Sequence, residues 1–276
     1  LYLSSAAIMV EMARRKLSVF ILPMPLIGIA GPVYPIANSI IGAAEILGAW
    51  TMTKAVRVDT PVEAGIISGA LNPKTGAACF SGPESVLQDL AVAQLFRQKY
   101  GTRCGTGPGF IDAPIPGSLS IYERMLKSLP SSLSGEPLFN AGILGGGVVF
   151  SPEQLMIDID IAYSQYYLGK GIGGKNFDDS LALIRERGIG GLFVDTDHTA
   201  EHFREYLWIP RVFERLKSTD VRNALEHDPV EIAYRQWKSI LEKTEPYTID
   251  EDRRRAIENV VEKARAALSE IEGATM

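Results

Sequence analysis

Residues Leu17–Lys54 read LSVFILPMPLIGIAGPVYPIANSIIGAAEILGAWTMTK, and the succession of textures in that stretch decides the fold class. A short apolar, β-branched run (Leu17–Leu22) is followed by a loop broken at Pro23, Pro25, Pro32 and Pro35, and then by a long apolar segment with no further proline. Glu45 is the only charge between Leu17 and Trp50, so hydropathy alone would offer a membrane span. The prolines break it, because each removes a backbone donor and clashes with the preceding helical turn. A buried strand, a Pro/Gly loop and a buried helix over 35–54 account for the run better, and no membrane partner is expected.

The same rhythm recurs. Strands are expected at Leu17–Leu22, at Ala55–Thr60 with an extension to Ser68, at Thr102–Gly105 and at Leu138–Ile143, with helices following at 35–54, 84–99, 117–130 and 152–168. Apolar strands that alternate with helices imply an α/β fold with a parallel sheet covered on both faces. Four βα units are half of an eight-stranded barrel, so the expected class is a (β/α)8 TIM-barrel type, this chain covering roughly its C-terminal half plus C-terminal helices. A self-contained doubly wound sheet is the alternative. The chain opens at Leu1 into a helical pattern, YLSSAAIMVEMARRK, so a preceding segment is expected. Beyond Asp178 the strand signal fades, and helices are expected at 178–187, 197–206, 210–218, 228–243 and 249–271. The resulting division is a barrel portion over 1–225 and, over 226–276, a C-terminal helical extension packed on the barrel. Its last helix places acids first and bases after, as the helix dipole favours.

At 276 residues and 46% hydrophobic content the chain can bury a large core. A net charge of −5 argues against a nucleic-acid partner, which would need a basic field. Cys79 and Cys104 lie in separate segments with no CxxC spacing, which points to reduced thiols and a cytoplasmic setting; no secretory signal is seen.

Several motifs approach known chemistry and stop short. GKGIGGKN (169–176) nearly matches the phosphate-cradling loop, but Asn176 stands where a hydroxyl is needed and the segment follows a helix. GTGPGF (105–110) follows an expected strand but lacks dinucleotide-loop spacing, and Pro108 removes an amide donor. His198 and His202, four apart on a helix opening near Thr196, share one face with Asp195 and Asp197 at its positive end. They could ligate a metal as part of a barrel hydrolase, but no third ligand is apparent and Thr199 replaces the glutamate of HExxH, so no metal is expected. In a parallel barrel, chemistry gathers in the loops after the strands, here 23–31, 65–76, 105–117 and 142–150, which are rich in Gly and Pro and poor in charge. Asp112 is the one acid among the central loops, and Gly145, Gly146 and Gly147 in a row would let backbone approach a flat ligand closely.

Taken together, DTDHTAEHFREYLWIPRVFER (195–215), LPMPLIG with AAEIL, FSGPE with AQL and YG, and CGTGPGFID with Tyr122 and Glu123 resemble the trimethylamine methyltransferase family, in family order over essentially the whole chain. The resemblance implies a (β/α)8 barrel whose mouth receives the corrinoid of a separate protein, with cob(I)alamin taking a methyl group from a methylated amine. It implies no tightly bound cofactor in this chain; the corrinoid protein and a small amine are the partners. A quaternary ammonium leaves as a neutral tertiary amine, so the protein must chiefly bind a cation and aim one methyl. Phe110, Tyr122, Phe139 and Phe150 are the aromatic candidates to hold such a cation. Asp112 and His198 are expected to bind or orient substrate, Asp197 and His202 to shape the site, and Gly105, Gly107 and Gly145–Gly147 to admit the corrinoid.

The chain departs from the family pattern in three places. Ile115 lies near the position where trimethylamine-using members carry pyrrolysine, Asp112-Ala113-Pro114 replaces an Asp-Ser-Lys run, and no histidine occurs in Leu138–Ala141. The expected substrate is therefore glycine-betaine-like, from the non-pyrrolysine branch. A relative that binds ligand without catalysis is the alternative, and self-association through the apolar faces of a half-barrel is also expected.

Overall fold

The fold was established from a computed structural model, which describes residues 2–135, 140–173 and 177–273. It is α/β, with far more helix than strand. The chain runs α1 (Leu3–Arg14), β1 (Val19–Ile21), β2 (Leu26–Ile27), α2 (Pro35–Val56), β3 (Val62–Ala64), β4 (Gly69–Leu71), β5 (Ala78–Cys79), α3 (Pro83–Tyr100), α4 (Ser118–Leu133), β6 (Ile143–Leu144), a 3-10 turn at Gly145–Gly147, β7 (Val149–Phe150), α5 (Pro152–Gly169), α6 (Phe177–Arg187), α7 (Asp197–Tyr206), α8 (Val221–Glu226), α9 (Pro229–Lys243) and α10 (Glu251–Gly273). Residues up to Trp237 form one compact unit and those from Lys238 a second. In the second, Glu251 takes ion pairs from Arg254 at 2.6 Å and Arg255 at 3.5 Å, so acids before bases along α10 pair as helical spacing allows. Among the described residues no helix is long and apolar enough to cross a membrane.

β1 and β3 pair in parallel with Val19 opposite Val62, Phe20 opposite Glu63 and Ile21 opposite Ala64. A parallel bridge from Gly65 to Gly105 carries the pairing one chain segment further, with the Gly105 amide donating to Ala64 O (2.8 Å) and the Ile66 amide to Gly105 O (2.8 Å). Strand alternation then assigns the faces. Val19, Ile21, Ala64, Ile66 and Cys104 turn one way and form a core with Ala43, Ile46 and Ala49 of α2 and Val92 and Phe96 of α3. Phe20 and Leu22 turn the other way and are 58% and 41% exposed. A second core joins Ile157 and Ile161 of α5 to Val212 and Ala233.

Helices begin where prolines allow. Pro35, Pro83 and Pro152 stand in the first turns of α2, α3 and α5, where the missing N–H has no helical partner to lose. The expected helices at 35–54, 84–99, 117–130, 152–168, 178–187, 197–206, 228–243 and 249–271 all form, with ends shifted by a few residues.

The strand expected at Ala55–Thr60 does not form: α2 runs on to Val56, and the strand is Val62–Ala64, inside the expected extension. Lys54 explains the delay, because its ammonium donates to Val58 O (3.0 Å) and Thr60 O (2.7 Å) and ties the residues after the helix into a turn. Thr102–Gly105 contributes only the bridge at Gly105. In the expected strand Leu138–Ile143, Leu138 and Phe139 lie outside the described residues, and pairing begins at Ile143. Residues 174–176 of the GKGIGGKN loop are also outside them. The helix expected at 210–218 is absent; the Asp160 carboxylate takes the amides of Arg211, Val212 and Phe213, donors that a helix start would leave to solvent or a cap.

Candidate functional site

The face of the β1–β3 sheet turned away from the helices opens into a recess of about 480 Å³, lined among others by Phe20, Glu63, Arg103, Gly105, Phe110 and Asn140. That volume falls within the range of small-ligand sites. Phe20 and Glu63 are register partners on neighbouring strands, and Arg103, two residues before the isolated Gly65–Gly105 bridge, lines the same recess. Two aromatic rings, one acid and one base thus line a single recess. Gly105 keeps the floor open: a methyl group there would meet nothing closer than 3.8 Å.

The loop from Gly105 to Gly117 is held by charged side chains that rise from the helices beneath. Asp89 of α3 accepts from the Ser68 amide (2.7 Å) and the Gly107 amide (3.2 Å). Lys127 of α4 donates to Phe80 O at 2.6 Å, and Glu123 accepts from the amides of Asp112 (2.9 Å) and Ala113 (2.8 Å). Arg124 donates to Asp158 (2.9 Å), Pro108 O (2.9 Å) and Ile143 O (2.7 Å). Apart from the Arg124–Asp158 pair, each bond satisfies a backbone group that burial would otherwise strand.

Burial sets the protonation of two of these groups. The Asp89 carboxyl, 3% exposed, is pushed up to about 6 by desolvation against the pull of Lys127 and its amide donors. Lys127, 2% exposed, is brought down to about 8 by desolvation against the pull of Asp89. The native state therefore keeps the Asp89 proton to a higher pH than the unfolded chain, where the value is near 3.8. Its stabilising contribution is complete below about pH 4 and is lost as pH rises through about 6. The stability of the wild type minus that of Asp89→Asn, measured by urea unfolding, is expected to fall by about 2 kcal/mol from pH 4 to pH 7. A flat difference would mean that the two amides and Lys127 hold the carboxyl at its ordinary value. Lys127 has the opposite sign: its contribution is present above about pH 10.5 and is lost as pH falls through about 8.

The expected site residues do not gather in one place. Phe110, Gly105 and Gly107 line the recess. The Asp112 carboxylate accepts from the amides of Phe80 (2.8 Å) and Ser81 (2.9 Å), which turns it to the backbone as a staple of the β5–α3 corner. Tyr122 and Phe150 are exposed, at 60% and 59%, and Phe139 lies outside the described residues. The 3-10 turn at Gly145–Gly147 has positive φ at each residue, and a methyl group on Gly147 would sit 2.6 Å from the Phe110 ring. Packing against Phe110 accounts for that glycine.

On α7 the side chain of Thr196 caps the helix by accepting from the Thr199 amide (3.2 Å). His198 is exposed and meets His202 edge-on at 4.8 Å between centroids, with Tyr206 next along the same face. Asp197 is exposed in the first turn. None of the four lines the recess. Among the described residues no group of three or more His, Cys, Asp or Glu could hold a metal ion, so the hydrolase alternative has no support.

Reading the sequence missed Glu63, Phe20 and Arg103. The signal was alternation: once the strand is set at Val62–Ala64, an acid stands at its middle, opposite the one aromatic residue of β1.

The family described as "Trimethylamine methyltransferase (MTTB)" matches residues 4–269 of this chain. The trimethylamine methyltransferase MttB of Methanosarcina barkeri (strain Fusaro / DSM 804) is 27% identical over 268 residues, 97% of this chain and 54% of the relative. The MttB of Desulfitobacterium hafniense (strain DSM 10664 / DCB-2) is 26% identical over 94% of this chain and 52% of its own length. A glycine betaine methyltransferase of Desulfitobacterium hafniense (strain Y51) is 26% identical over 84% of this chain and 49% of its own length. The chain spans about half the length of the curated relatives it matches.

Proposed function

The chain belongs to the trimethylamine methyltransferase family, and on that premise we propose that it serves a methyltransferase that moves a methyl group from a quaternary or methylated amine, glycine-betaine-like, to the cob(I)alamin of a corrinoid protein. The observation that carries the reading is the family match along residues 4–269; the recess beside Phe20, Glu63 and Phe110 supplies a place for a small cation. A relative named for glycine betaine supports the choice of substrate class. The parallel order of β1, β3 and the Gly105 bridge supports a (β/α)8 barrel to which this chain contributes the C-terminal half. A cytoplasmic location belongs to the same reading.

The chemistry asks for positioning more than for proton transfer. As the methyl leaves a quaternary ammonium, the nitrogen keeps the bonding pair and departs neutral, so no acid is required. Aromatic faces beside the cation and an acid at the recess hold the ground state and aim the methyl. Low-valent cobalt is the methyl acceptor, a substrate brought by the partner protein. Of the glycines expected to admit it, Gly147 packs on Phe110 and Gly107 on Ile67, while Gly105 opens into the recess. On this reading the recess takes the small amine and the corrinoid comes held by its own protein. His198 stays a candidate to orient substrate, and Asp112 acts by fixing the turn that carries Phe110.

The test is anaerobic methylation of cob(I)alamin by the full-length natural protein, followed by absorbance, with trimethylamine, glycine betaine, carnitine and choline as donors, and with free cobalamin or the cognate corrinoid protein as acceptor. Conversion with glycine betaine or another quaternary amine is the expected result. Turnover of trimethylamine alone overturns the substrate class, and no transfer from any donor overturns the reaction. With an active donor, His198→Ala is expected to lower transfer at least tenfold; an unchanged rate removes His198 from the site.

A further inference from the structure

The geometry points to a zwitterion-selective site in the recess, in which Arg103 takes the carboxylate and Glu63 with Phe20 takes the ammonium of a carboxylated quaternary amine. The inference rests on the methyl-transfer reading for its substrate class, and goes beyond it by assigning which groups choose among amines. The Glu63 and Arg103 side chains both line the recess, and among the described residues no side-chain hydrogen bond or ion pair engages either of them. Every other charged group described above as holding the loop near this face is already engaged: Asp89, Asp112, Glu123, Arg124 and Lys127 hold backbone amides, backbone carbonyls or each other. The acid and the base of the recess are the charged groups not used in this way.

Their placement fixes the ligand's chemistry. Glu63 lies opposite Phe20 in register, and Arg103 follows on the next segment by way of the Gly65–Gly105 bridge. Bridged segments lie about 4.8 Å apart, as at Gly65–Gly105, so opposite charges on neighbouring segments suit a ligand whose own charges are separated by one or two carbons. The quaternary nitrogen has no N–H to donate and is held by charge and by a ring face, which an acid beside a phenyl ring provides. The carboxylate is matched by a guanidinium fork, which binds it through paired N–H donors. Choline offers nothing to Arg103, and a free tetramethylammonium ion nothing beyond the Phe20 and Glu63 end. Selectivity for the carboxylated amine then follows from the side chain at 103, while affinity for the cationic head follows from positions 20 and 63.

The test is titration calorimetry of glycine betaine, choline and tetramethylammonium into the full-length natural protein and its Arg103→Met, Arg103→Lys and Glu63→Gln variants, with thermal unfolding as the control for folding. The wild type is expected to bind glycine betaine at least tenfold more tightly than choline. Arg103→Met is expected to abolish that preference with tetramethylammonium binding unchanged, Arg103→Lys to keep part of it, and Glu63→Gln to weaken all three ligands. A wild type that does not bind glycine betaine, or an Arg103→Met variant that keeps the preference, overturns the assignment. Binding is read apart from turnover, so the two readings fail separately. Selective binding with no methyl transfer sinks the reaction and leaves the recess; methyl transfer with selectivity indifferent to residue 103 does the reverse.

Discussion

Asp158→Ala is expected to destabilise the protein by about 3–5 kcal/mol, a fall in unfolding midpoint of roughly 6–20 °C for a unit of this size. Asp158 and Arg124 are both fully buried. The carboxylate accepts from Arg124 Nε at 2.9 Å, Gln154 Nε2 at 2.7 Å and the Gly142 amide at 2.8 Å. Alanine removes the carboxylate bonded to the guanidinium in a medium that solvates it poorly, and the lost pairing is the larger part of the cost. Arg124 also carries Pro108 O and Ile143 O, so its displacement loosens the loop that bears Phe110 and the strand before the triple glycine. Asp158→Asn keeps the shape and one acceptor and is expected to lose less. Differential scanning calorimetry of the two variants checks the order; a loss below about 1 kcal/mol for alanine would show that water reaches Arg124, as it does at exposed ion pairs.

Asp160→Ala is expected to cost about 4 kcal/mol. Asp160 is 1% exposed, and its carboxylate gathers the amides of Arg211 (3.0 Å), Val212 (2.9 Å) and Phe213 (3.1 Å), which lie more than fifty residues further along the chain. Removing it strands three donors in or near the core, each worth about 1–3 kcal/mol unless water enters. Val212 belongs to the cluster with Ile157, Ile161 and Ala233, so freeing the segment also exposes apolar surface. Hydrogen exchange separates this result from a general loss of stability: the amides of Arg211, Val212 and Phe213 should lose protection first, with α2 and α3 keeping theirs. Equal loss across the unit would refute the local tether.

The two tethers also show why some of the sequence was legible and some was not. Helices could be read because their signals are local: Pro35, Pro83 and Pro152 mark starts, Gly101 with positive φ ends α3, and apolar spacing fills the lengths between. Residues 210–218 have helix-forming composition, yet they form no helix, because the acceptor that holds their amides lies at Asp160. No window around residue 212 contains that information. Asp112 shows the same limit. An acid in a glycine-rich loop has the profile of a substrate contact, but its partners are the Phe80 and Ser81 amides, thirty residues earlier.

By itself the sequence determined the α/β rhythm, the helix starts, the family and the loops in which small residues collect, since local backbone preference and motif order carry all of these. Tertiary structure alone decided which face of β1 and β3 lines the recess, which charges are consumed in holding loops, and which two line that recess instead. The physical reason is that strand pairing sets side-chain direction in steps of two. Placing the strand at Val62–Ala64 aims Glu63 into the recess, and that register is fixed across the sheet by Val19 and Gly105, not by neighbours along the chain.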